Sequence, residues 1–197
     1  MDTIWWVIIA AAVAIVVVAL VAQAYMRSRR RAVLRDQFGP EYDRAVGSAG
    51  SHRAAERELS EREKARDELD IRPLSEDARA RFTDDWQRAE GRFMDDPELA
   101  AREADRVVRD VLEERGYPSD DFDTQAKAVS VDYPKAVQRY RHGHEMVHGN
   151  GASGSERTEN LRKAMVDFRS VFHELVDVVE PDVRAEPVES PEPATRS

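Results

Sequence analysis

The alternation of apolar and polar positions divides the chain into five stretches. Residues 4–25 read IWWVIIAAAVAIVVVALVAQAY and carry no charged side chain. As a helix rising 1.5 Å per residue, such a run reaches roughly 33 Å, against a hydrocarbon core of about 30 Å, and predicts one transmembrane helix. Trp5 and Trp6 mark one end and Tyr25 the other, where amphipathic rings favour a water interface. Residues 26–50 form a basic segment with a hinge at Phe38-Gly39-Pro40, because Gly is flexible and Pro disfavours helical geometry in the residue before it. Residues 51–72 predict a charged helical stalk capped by Ser51. Its apolar strip is only Ala55, Leu59, Ala65 and Leu69, which suits a solvated stalk or a weak coiled coil.

Residues 73–179 hold the periodicity of a small helical bundle. Ser75 caps a helix bearing Ala78, Phe82, Trp86, Ala89 and Phe93 at spacings of three and four. Asp96-Pro97 opens the next, whose Ala100, Ala104, Val107, Val108 and Val111 form a stripe that stops at Arg115-Gly116-Tyr117-Pro118. A helical turn is expected around residues 122–129, and the alternation from Val129 to Tyr133 is too short for a strand and reads as a connector. Pro134 starts a helix with Val137, Tyr140, His144 and Val147 on one face. The last helix, about 155–179, carries Leu161, Ala164, Met165, Phe168, Phe172, Leu175 and Val176. Residues 180–197 are rich in Pro and Glu and predict a disordered acidic tail. The fold class expected is all-α: anchor, stalk, bundle and tail.

Charge changes the picture in two ways. With 39 acidic and 30 basic residues the net charge is -9, which speaks against nucleic acid as a partner, since phosphate neutralisation needs a basic surface. The local distribution is different: Arg27, Arg29, Arg30, Arg31 and Arg35 follow the apolar run, and only Asp2 precedes it. The positive-inside rule then predicts a single-pass protein in the cell membrane, N-terminus outside and C-terminal domain cytoplasmic, with the lipid bilayer as a partner. The rival reading is a cleaved signal peptide ending at Ala22-Gln23-Ala24, but a signal peptide places its basic cluster before the apolar run. Ala10 and Ala14 have the spacing that lets two helices approach closely, so a homo-oligomer is a further expectation. Cysteine is absent, which removes disulfides and thiolate chemistry.

Three motifs carry a resemblance: the juxtamembrane phrase from Leu34 to Arg44, LRDQFGPEYDR; the turn Arg115-Gly116-Tyr117-Pro118; and Leu161-Arg162-Lys163-Ala164-Met165 in the last helix. On these the chain resembles a group of uncharacterised, mostly actinobacterial, single-pass membrane proteins, from the anchor to about Leu175. The resemblance implies the same architecture and brings no activity with it.

One motif invites a catalytic reading. His144-Glu145-Met146-Val147-His148 matches H-E-x-x-H, in which two histidines one turn apart bind zinc and the glutamate activates water. Read so, His144 and His148 are metal ligands, Glu145 is the general base, and Glu174 or His173 on the last helix supplies a third ligand. A match to three fixed positions arises by chance on the order of once per hundred such chains. Zinc peptidases also need an edge strand to hold their substrate, and no strand is predicted. His144 continues an apolar stripe, so a packed histidine is the plainer account. His142 adds a third histidine nearby, and no P-loop, dinucleotide or nucleophile-elbow pattern occurs. The leading expectation is therefore no enzyme, cofactor or metal, but a membrane-anchored scaffold or protein-interaction module with an unknown protein partner. A membrane-bound zinc peptidase through Glu145, His144 and His148 is the alternative. Phe82, Trp86, Phe93, Phe168 and Phe172 are either the bundle core or a groove for a partner helix.

Overall fold

The structure is a computed structural model describing residues 2–149, 151 and 153–177; within its first helix the side chains of residue 6, residues 15–26 and residue 28 onward are described. Every regular element among the described residues is a helix: α1 (Asp2–Phe38), α2 (Pro40–Ala49), α3 (His52–Asp67), α4 (Glu76–Arg92), α5 (Pro97–Glu114), α6 (Phe122–Asp132), α7 (Ala136–His148) and α8 (Gly154–Val176). The all-α class is as expected.

The membrane span expected over residues 4–25 is overturned. Among the described residues no helix is long and apolar enough to cross a membrane. The segment falls in α1, which runs from Asp2 to Phe38. The helix does not stop at Tyr25, but continues through Arg29, Arg30 and Arg31 to Phe38. The single-pass topology, the orientation and the cell-membrane location rested on that span and are withdrawn with it. The side chains of Ala10 and Ala14, and the tail at 180–197, lie outside the described residues.

Side chains that accept backbone N–H groups fix where the helices begin. Ser51, Ser75, Asp96 and Asp121 accept from the amides of Ala54, Ala78, Leu99 and Thr124, satisfying donors that have no partner within the helix. Pro40 and Pro97 occupy first-turn positions, where a missing N–H costs nothing. Gly116 ends α5 at φ +99°, and a Cβ there would lie 2.3 Å from the Asp70 carbonyl oxygen, so no other residue fits under the segment that leads into α4.

Two cores result. In the larger, α8 packs against α5 and α7, and α4 packs on α5. Phe82, Trp86, Phe168 and Phe172 are buried there, with Trp86 stacked on Phe172 at 5.0 Å between centroids, so these aromatics fill the core and form no groove. Burying each such ring contributes about 1.5–3 kcal/mol. The smaller core joins Leu34 and Phe38 of α1, Tyr42 and Ala45 of α2, and Ala55 and Leu59 of α3. The charged α3 is thus a packed element and no free stalk: its narrow strip suffices because Ala55 and Leu59 are completely covered. Its Arg66 binds Asp132 at 2.8 Å, and Tyr117 donates to the same carboxylate at 2.6 Å, tying α3 to the end of α6.

Candidate metal centre

Asp105 lies in the middle of α5, one residue from Ala104 and three from Val108, among the buried apolar residues Ala101, Ala104, Val108 and Leu112. It is fully buried. An ionised carboxylate in such a place is costly unless paired, and α7 supplies the partners. His144 donates through Nδ1 to Oδ1 at 3.2 Å, and His148, one turn on, donates through Nε2 to Oδ2 at 2.9 Å. The Arg109 guanidinium, one turn along α5, stands 3.7 Å from Oδ2. Burial is the largest single influence on this carboxyl and pushes it up, but the two histidine hydrogen bonds, with the charge of His144 and Arg109, outweigh it and hold it below its ordinary value. Asp105 therefore stays ionised.

The histidines are held by their own surroundings. Phe122, the first residue of α6, stacks on His144 with ring centroids 3.6 Å apart and planes within 8°. Tyr140, one turn before His144, is buried and donates to Gln125 of α6 at 2.8 Å. Gly143 permits the close approach of α8, since a Cβ there would meet the Phe168 ring at 2.8 Å. Arg157 of α8 donates to the carbonyl oxygens of Met146 and Val147, which closes the last turn of α7 beside His148. Four helices converge on one carboxylate and two imidazoles.

One potential ligand atom each from Asp105, His144 and His148 lie within 4.8 Å of one another, a grouping that could hold a metal ion. Two imidazoles and a carboxylate are a donor set suited to zinc and related divalent transition metals. Phe122 closes one side, and His148, with its side chain 46% exposed, opens the other to solvent.

The remaining candidates fall elsewhere. Glu145 is solvent-exposed. His142 pairs with Asp167 of α8, His173 approaches Asp177, and Glu174 approaches Arg139 at 3.8 Å, so none of them joins His144 and His148. The third donor comes from α5, which sequence reasoning did not consider. The available signal was a single acidic residue interrupting the 101, 104, 108, 112 apolar positions. The chain matches no protein-family model, and comparison with curated proteins and with solved structures yields no match either.

Proposed function

We propose that the protein is a helical module that binds one divalent metal ion of the zinc class through Asp105, His144 and His148, and that the ion staples α5 to α7. The observation that supports this reading is a fully buried carboxylate facing two histidines one turn apart on a neighbouring helix. A third protein donor makes the H-E-x-x-H histidines a metal site of the required denticity without any contribution from Glu145. The peptidase reading lacks comparable support: Glu145 projects into solvent, and no strand exists among the described residues to hold an extended peptide. Two imidazole donors beside one carboxylate favour an ion of the zinc class over calcium or magnesium, which take oxygen ligands.

The test is a zinc titration of the full chain by calorimetry together with thermal unfolding. One ion per chain should bind, and at a hundredfold excess over Kd it should stabilise the fold by about 2.7 kcal/mol. Asp105→Asn and His148→Ala should each abolish that gain; His148 is half-exposed, so its variant folds whether or not Asp105→Asn does. Absence of saturable zinc binding, or binding undiminished in His148→Ala, overturns the proposal.

A further inference from the structure

Resting on that metal reading, we infer that the centre keeps a coordination position open to solvent and takes a small carboxylate there, anchored jointly by the ion and by Arg109. The protein offers three donors, one fewer than a closed tetrahedral site requires. The position left over cannot lie on the Phe122 side, where the ring covers His144 at van der Waals distance. It lies on the His148 side, where the imidazole is half-exposed.

Arg109 belongs to that same side. Its Nε is 3.7 Å from Asp105 Oδ2, the oxygen that faces His148, and its own side chain is also half-exposed. In the metal-free protein this guanidinium neutralises Asp105. A bound divalent ion takes over that task, and the local sum of ion, Asp105 and Arg109 is then two positive charges with the histidines neutral. An anion is the ligand that such a site attracts, and a carboxylate matches the pair of anchors: one oxygen on the metal, the other on the planar guanidinium fork.

The experiment uses the full chain loaded with cobalt(II), whose visible absorption reports its coordination, and acetate as the probe. Wild type should show a cobalt band that changes saturably with acetate. Arg109→Gln should keep the cobalt band and lose acetate affinity by about tenfold. A cobalt band unmoved by acetate, or moved equally in Arg109→Gln, overturns this inference and leaves the metal site standing. Failure of cobalt and zinc to bind at all overturns both.

Discussion

Arg157 holds four acceptors with one guanidinium. Its Nε and Nη2 bind the two carboxylate oxygens of Glu98 at 2.6 and 3.0 Å, and Nη1 and Nη2 bind the carbonyls of Met146 and Val147 at 2.6 and 2.8 Å. One side chain of α8 thus joins the start of α5 to the end of α7, where His148 sits. The Arg157 hydrogen bonds pull the Glu98 carboxyl down from 4.5 to about 2. A carboxyl depressed by folding stabilises the fold fully above its unfolded value, and that contribution fades as pH falls from 4.5 toward 2. Glu98→Gln should therefore lower the urea midpoint at pH 6 and make progressively less difference below about pH 4.5. A gap between variant and wild type that stays constant with pH would refute the assignment. At this scale the sequence was half legible. The spacing of His144 and His148 announces a pair on one helix face, but their partner Asp105 is 39 residues away, and no local pattern links an acid on α5 to a histidine on α7.

Helix boundaries were more readable, because caps and breakers act locally. Ser51, Ser75, Asp96 and Gly116 do in the structure what their chemistry predicts. The alternation from Val129 to Tyr133 predicts a connector, but Val129 faces the larger core and Val131 the smaller, so both apolar positions are satisfied by two different neighbours and α6 continues to Asp132. The fit of α7 against α8 is a property of the pair of elements. Gly143 costs α7 about 1 kcal/mol of helix propensity relative to Ala, so an isolated helix gains from Gly143→Ala. In the folded protein the added methyl meets a completely buried Phe168 ring at 2.8 Å. Overpacking of this kind costs about 1–3 kcal/mol and outweighs the propensity gain. Gly143→Ala should lower stability in urea denaturation and, by pushing α7 off α8, weaken zinc binding. A more stable variant would show that the contact relaxes freely.

Across the whole molecule, the smaller core of α1, α2 and α3 meets the bundle through buried charge. Glu41, in the first turn of α2, is 1% exposed, with Arg62 of α3 at 3.6 Å from one oxygen and Arg141 of α7 at 3.7 Å from the other. Burial holds the Arg141 guanidinium below the usual arginine value against the opposing pull of Glu41. Composition alone offered no hint of this: a chain so rich in charge reads as solvated helices, and Glu41, Arg62 and Arg141 are far apart in sequence. Breaking a buried ion pair from one side costs about 3–5 kcal/mol, because the remaining charge is left uncompensated. Arg62 keeps Glu58 and Arg141 keeps Asp123, which places Glu41→Ala at the lower end, about 3 kcal/mol. The loss should be uneven. Leu34, Phe38, Tyr42 and Leu59 belong to a core that shares no residue with the one around α8. Amide exchange in Glu41→Ala should therefore accelerate in α2 and α3 while α5 and α8 keep their protection. Equal acceleration everywhere would mean that the two cores unfold as one unit, with Glu41 supporting the metal-site helices as much as its own.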